Sequence, residues 1–253
     1  EAQSVTWSKM KLMEKTLENS DLVFTEGLVE ELRQIKDEGE IALMKTAAEI
    51  ADKALSEIWP MFEEGVTEKE ISTSLDETMV KNGADGTAFE TIIAAGSNSA
   101  RPHARPGDRT LSEGDLVVCD MGALYKGYRS DMTRSTRIGG TGTGKPAEML
   151  EVVLEAQKAG LSTVKEGVPN SEVDSACRKV LQEAGLEEAF THGTGHGVGL
   201  DIHEAPTLSG ISTDTLRAGQ VVTVEPGVYL PDVGGVRWED TVIVTEKGCE
   251  FLT

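Results

Sequence analysis

The chain has 253 residues, 38% of them hydrophobic, enough to bury the core of one large domain or two smaller ones. Its 44 acidic and 24 basic residues leave a formal charge of −20, a field that repels phosphate backbones and anionic lipid. Nucleic acid and membrane surfaces are therefore not expected partners, and no apolar run approaches the ~18–20 residues of a membrane span.

The three cysteines, Cys119, Cys177 and Cys249, are odd in number and widely spaced. They offer neither a zinc knuckle nor a disulfide framework, so a reducing, cytoplasmic setting is expected. Residues 1–35 read as a helical leader with too little apolar material for a core of its own. Starting at Glu1 with neither Met nor a basic-then-apolar signal, the chain is expected to be a fragment or a processed product. From residue 36 the pattern changes. Ile41, Met44, Ala48, Ala51, Leu55 and Ile58 recur at helical spacing and predict a long amphipathic helix. Thr67 and Glu70 form a capping box that opens a second helix running to about Gly83. Strand-like segments follow: "FETIIAAG", "DLVVCDMGAL" and "GYRSDMTRSTRI". A Gly/Thr/Pro loop at 139–146 leads to helices at about 147–165 and 170–184. Then come the glycine-rich "THGTGHGVGLDIHE" and the strands "GQVVTVEPGVYL" and "RWEDTVIVT".

This order repeats. Glu64-Gly65-Val66-Thr67 is echoed by Glu166-Gly167-Val168-Pro169 at an offset of 102, which also carries Glu70 to Glu172 and Gly83 to Gly185. "LSEGDLVVCDMG" aligns with "LRAGQVVTVEPG", "SDMT" with "WEDT", and His103-Ala104-Arg105-Pro106 with His203-Glu204-Ala205-Pro206. Asp120 thus falls on Glu225 and Asp131 on Glu239. A duplicated α+β unit, folded about a pseudo-twofold axis, would bring these matching polar positions together at the axis.

Asp120, Asp131, Glu225 and Glu239 lie in apolar, strand-like surroundings. Desolvating four carboxylates is too costly unless a positive charge neutralises them. Either they point different ways and reach water, or they converge on cations. Convergence calls for two divalent ions, and an oxygen-rich shell with one imidazole suits Mn²⁺, Co²⁺, Fe²⁺ or Zn²⁺ better than Mg²⁺ or Ca²⁺. Two other motifs carry less. "GTGHGVG" lacks the helix and ribose acid of a dinucleotide site, and "GGTGTGKPAE" lacks the spacing and the Ser or Thr of a phosphate loop.

Asp120, Asp131 eleven residues on, His196 in "HGTGHGVG", Glu225 in "VEPG" and Glu239 in "GGVRWED" resemble the five ligands of the pita-bread (M24-type) metallopeptidases. The chain is most similar to their proline-specific branch, aminopeptidase P and prolidase, over about residues 36–253. The resemblance implies the duplicated α+β pita-bread fold and hydrolysis of the bond between an N-terminal residue and a following proline. It implies two divalent ions, Mn²⁺ first among them, with attack by a water held between them. Asp120 would chelate one ion, Asp131 and Glu239 would bridge, and His196 and Glu225 would complete the second. Glu225 would also shuttle the proton. His103 and His203 would bind substrate and the tetrahedral intermediate from opposite sides, and His192 would line the substrate pocket or serve a structural hydrogen bond. Arg237 would hold the bridging carboxylates from outside the shell, and Tyr229 and Trp238 would wall the proline subsite or serve as core aromatics. Relatives carry a further N-terminal domain, so residues 1–35 read as its remnant, and a homodimer would depend on the missing part.

The alternatives are weaker. Methionine aminopeptidases share the five ligands, but "GGVRWED" with Arg237 and "SNSARPHARP" around His103 favour the proline branch. A creatinase-like hydrolase lacks the full metal set, and the intact ligand positions argue against a non-catalytic module that binds peptides or proteins.

Overall fold

The two sequence halves form two similar layers in the computed structural model, which describes residues 5–140 and 142–253. Two units are distinguished, Glu1–Arg33 and Gln34–Thr253. In the first, α1 (Trp7–Thr16) begins at Thr6, whose hydroxyl accepts from the Lys9 amide at 3.3 Å. Neither α1 nor α2 (Leu28–Gln34) buries a residue, in keeping with their poor apolar content. The leader's residues 1–4, and Thr141 of the 139–146 loop, lie outside the described residues.

The second unit opens with α3 (Glu38–Ile58), held by an Asp37–Glu40 capping box. The predicted Thr67–Glu70 box is present and starts α4 (Glu68–Lys81). Six strands follow: β1 (Gly86–Thr87), β2 (Ile92–Ala95), β3 (Leu116–Met121), β4 (Ala123–Tyr125), β5 (Tyr128–Arg129) and β6 (Met132–Arg137). They pair as antiparallel sheets β2-β3-β6 and β1-β4-β5. The second half repeats the plan with α5 (Lys145–Thr163), α6 (Asn170–Glu183), β7 (Gly195–Gly197), β8 (Glu204–Leu208) and β9 (Val221–Val224). It ends with β10 (Gly227–Leu230), β11 (Gly234–Arg237), β12 (Asp240–Val244) and β13 (Cys249–Phe251). These form a sheet in the order β13-β12-β9-β7-β8 and a separate β10–β11 hairpin.

The duplication is visible bond by bond. The Gly65 amide donates to Leu111 and the Gly167 amide to Leu216, both at 2.9 Å. Leu111 donates back to Val66 at 2.8 Å, and Leu216 to Val168 at 2.9 Å. Each half has its own core. Ile71, Leu75 and Met79 of α4 pack with Ile93, Val117 and Cys119, while Met149, Cys177 and Leu181 pack with Val222, Val224 and Val242. Fully burying each such aliphatic side chain contributes ~1.5–3 kcal/mol, so the two cores account for most of the driving force. The central strand β3 is buried along its whole length and meets β11 of the other half, which brings the two sheets' inner edges to one place. No helix among the described residues is long and apolar enough to cross a membrane.

The sequence-predicted strands are each divided in two, and the divisions matter. "DLVVCDMGAL" breaks at Gly122, where any side chain would strike the Ser130 carbonyl and Phe89. "GYRSDMTRSTRI" breaks at Ser130–Asp131 and "GQVVTVEPGVYL" at Glu225–Pro226, and β11 and β12 are separated by Trp238–Glu239. Three of the four carboxylates therefore sit in breaks between strands, and only Asp120 lies within a ladder, opposite Ile92 and Thr133.

Candidate metal centre

The breaks and β7 converge on a cavity of about 450 Å³ between the halves of the second unit. Asp120, Asp131, His196, Glu225, Glu239 and Arg237 line it, as do His103, His192 and His203. His196 lies mid-strand in β7, where the β7–β8 register shifts after it. Its neighbours must be glycine, because a Cβ on Gly195 or Gly197 would land on the carbonyl oxygens of Thr223 and Ala205. The ring is oriented by Nδ1 donating to the Gly197 carbonyl at 3.0 Å. That leaves Nε2 aimed at Glu225 Oε1 (3.3 Å) and Asp131 Oδ2 (3.6 Å). A backbone-fixed tautomer of this kind is what metal-ligating imidazoles show.

Asp131, His196 and Glu239 each offer a ligand atom within 4.8 Å of the others. Asp120 stands apart from that trio. Its Oδ2 accepts from Arg237 Nη2 at 2.6 Å, while its Oδ1 is buried with no hydrogen-bond partner among the described residues. An orphaned carboxylate oxygen beside the buried Asp131 and Glu239, the half-buried Glu225 and the His196 imidazole fits an oxygen-rich divalent-cation site. Glu225 is turned toward His196 and accepts from Thr223 Oγ1 at 3.1 Å.

The electrostatics agree. Burial, followed by repulsion from Glu239, Asp120 and Glu225, pushes the Asp131 carboxyl well above its ordinary range. Burial and the charges of Glu225 and Asp120 do the same to Glu239, and burial raises Asp120 against the pull of Arg237. Glu225 goes the other way. Burial opposes its ionisation, but the His196 hydrogen bond and the charges of His196 and Arg237 outweigh it and hold the group at about 2. His196 is raised correspondingly: burial disfavours its cation, and Glu225 more than compensates.

These directions fix a pH dependence. A carboxyl raised on folding adds stability at low pH that is lost as pH rises through its folded value, so the metal-free protein weakens as Asp131 and Glu239 ionise. A divalent ion displaces those protons, so its affinity rises with pH and binding releases protons. Calorimetric titration with Mn²⁺ in buffers of different ionisation enthalpy checks this; no buffer dependence would contradict it.

Arg237 lies at the end of β11, and its neighbours differ from the expected ones. It bonds Asp120 rather than the bridging carboxylates, because β11 runs alongside β3. It reaches Glu239 only through Thr133, whose Oγ1 accepts from Arg237 Nε at 3.1 Å and donates to Glu239 Oε2 at 2.6 Å. Its remaining donors go to the Tyr229 hydroxyl at 3.0 Å and the Pro102 carbonyl at 3.3 Å. Tyr229 is also placed differently. It is buried, is not among the residues lining the cavity, and contacts His192 Nε2 at 2.9 Å. Arg237 can only donate, so Tyr229 accepts from it and gives its own proton to His192. His192 Nδ1 donates to the Gly193 carbonyl at 2.8 Å, and burial lowers its pKa, so the ring is neutral with both nitrogens occupied by the protein. Trp238 packs against the second core beneath the Arg134 guanidinium, away from the cavity. His203 lies edge-on to His196 with ring centroids 4.3 Å apart, and burial and the His196 charge lower its pKa.

The threonines were not legible as site residues. Thr133 links Arg237 to Glu239, Thr223 links the His196 amide to Glu225, and Thr241 Oγ1 donates to the Asp131 carbonyl at 2.7 Å. The repeated Thr in "SDMT" and "WEDT" was the available signal.

Comparison with known proteins places this geometry. The model of metallopeptidase family M24 matches residues 42–246. Xaa-Pro dipeptidases of Pyrococcus horikoshii and Pyrococcus furiosus are 44% and 45% identical over 228 residues. That alignment covers 90% of this chain, and the chain spans 65% of the length of these two relatives. Among solved structures, a Xaa-Pro dipeptidase from Bacillus anthracis superposes with a TM-score of 0.97 at 43% identity, covering 100% of this chain and 71% of the other. An X-Pro aminopeptidase from Thermotoga maritima gives 0.95 at 40% identity, covering 100% and 72%. The match takes in both halves and every carboxylate of the cavity, so the chain belongs to metallopeptidase family M24 and has that family's pita-bread fold.

Proposed function

We propose that this protein hydrolyses the peptide bond between an N-terminal residue and a following proline, using two divalent ions of which Mn²⁺ is the best fit. The observation that carries the reading is the cavity itself. Asp120, Asp131, His196, Glu225 and Glu239 face it together, with Arg237 locked onto Asp120 behind them. The relatives named above supply the substrate class. Asp120, Asp131, His196, Glu225 and Glu239 would hold the ions, which supply Lewis acidity and a water made nucleophilic near neutral pH.

The chain's own residues do the rest. Glu225 would accept the proton of the attacking water and later return it to the leaving nitrogen. His103 and His203, on equivalent positions of the two halves, donate to the substrate carbonyl as negative charge develops on it. His192 has no free nitrogen to offer and serves as a rigid wall of the cavity. Arg237 and Tyr229 hold that wall and Asp120 in fixed relation.

Hydrolysis of Ala-Pro, Ala-Pro-Ala and Met-Ala-Ser with added Mn²⁺ tests the substrate class. Cleavage of one or both proline peptides, with Met-Ala-Ser slowest, is expected. Fastest cleavage of Met-Ala-Ser would overturn the assignment in favour of a methionine aminopeptidase.

A further inference from the structure

Glu68 is completely buried in the first turn of α4, yet the helix does not use it, because Thr67 and Glu70 already cap that end. A buried carboxylate is costly unless several donors satisfy it. Glu68 has four such contacts, and all of them go to the segment that carries His103. Its Oε1 accepts from the Ala95 amide at 2.8 Å and from Asn98 Nδ2 at 2.9 Å. Its Oε2 accepts from Asn98 Nδ2 and from the Gly107 amide, both at 3.1 Å. The Glu68 and Lys69 amides in turn donate to the Arg109 and Gly107 carbonyls at 3.0 and 3.1 Å. One side chain thus closes the loop 96–107 on both sides of His103.

His103 itself is exposed on the cavity wall, and no hydrogen bond among the described residues holds its imidazole. The loop backbone alone decides where the ring lies. The other half has a related contact, on one side of its histidine alone. Asn170, at the position equivalent to Glu68, is completely buried, and its Nδ2 reaches the Thr207 carbonyl at 3.2 Å and Ser212 Oγ at 3.3 Å, beyond His203. Its amide donates to Asp214 at 2.9 Å, as that of Glu68 does to Arg109.

We propose that Glu68 is the positioning residue for His103: its carboxylate pins the 96–107 loop so that the imidazole faces the substrate cavity. The inference rests on the role proposed above for His103 in Xaa-Pro hydrolysis. Misplacement of a reacting group by about 1 Å costs roughly 100-fold in rate, so loosening this loop should be felt in turnover.

The test is a double-mutant cycle on the full chain with Mn²⁺ and Ala-Pro or Ala-Pro-Ala. Glu68→Gln puts an amide donor against N–H groups while keeping the shape. It should lower kcat/KM roughly 10- to 100-fold, with metal content unchanged. In a His103→Ala background the same change should have almost no further effect. Equal losses in both backgrounds, or none in either, would overturn the proposal. Amide hydrogen exchange provides the arm that needs no activity. Residues 95–107 should exchange faster in Glu68→Gln while α5 and α6 are unaffected, and unchanged exchange there would refute the pinning. If the unaltered chain cleaves no proline peptide, the functional reading fails while the exchange result still decides the role of Glu68. Should Glu68→Gln not fold, Asn98→Ala removes two of the four bonds and takes its place in both arms.

Discussion

Replacing Asp131 with asparagine should empty the centre of both metal ions and abolish peptide cleavage. Asp131 Oδ2 is within reach of His196 Nε2, and Asp131 shares the compact trio with Glu239, so it is the carboxylate through which the two halves' ligands meet. Losing the metal removes several kcal/mol of transition-state stabilisation, or about 10³-fold in rate. The metal-free state should respond in the opposite sense. The Asp131 carboxyl is raised by burial and by three neighbouring carboxylates, so the substitution relieves repulsion there. Metal-free Asp131→Asn should therefore unfold at the same or a higher denaturant concentration than the metal-free parent at neutral pH. Elemental analysis, turnover and denaturant melts check the three statements. Full turnover with bound metal would show that Asp131 does not bridge.

Arg237→Ala should have the largest effect on stability. The guanidinium is buried, and it supplies donors to Asp120, Thr133, Tyr229 and Pro102 at once. Its removal takes the charged partner from the buried Asp120 carboxylate, and breaking one side of a buried pair costs about 3–5 kcal/mol. Arg237→Lys should recover little, since an ammonium cannot reproduce the planar fork. The double variant Asp120→Asn/Arg237→Ala should recover part of the loss, because no charge is then left unpaired. A loss below about 1 kcal/mol for Arg237→Ala would contradict the structural role assigned to the pair.

The sequence carried the duplication and the ligand types, because both are patterns of residue identity. Glu64–Thr67 against Glu166–Pro169 and "SDMT" against "WEDT" are readable without coordinates. Helix limits were likewise within two residues where capping chemistry marks them, as at Thr67. Side-chain direction was not readable. Asp131, Glu225 and Glu239 looked like mid-strand residues, and their position in strand breaks depends on which ladder each flank joins. Arg237 was expected on the bridging carboxylates, but β11 packs along β3 and delivers it to Asp120. The chain from Arg237 through Tyr229 to His192 is set by a hairpin turn and two hydrogen bonds, and neither leaves a spacing signature. Glu68 and Thr133 are not legible for the same reason: in sequence each is an ordinary polar residue, and only its partners give it a role.

Carboxylates from the two duplicated halves would together hold one dinuclear centre. This is tested most directly by elemental analysis of the purified chain after it is stripped with chelator, reconstituted with Mn²⁺ and desalted. About two ions per chain are expected, two divalent charges balancing four carboxylates. Finding no bound metal after reconstitution would contradict it.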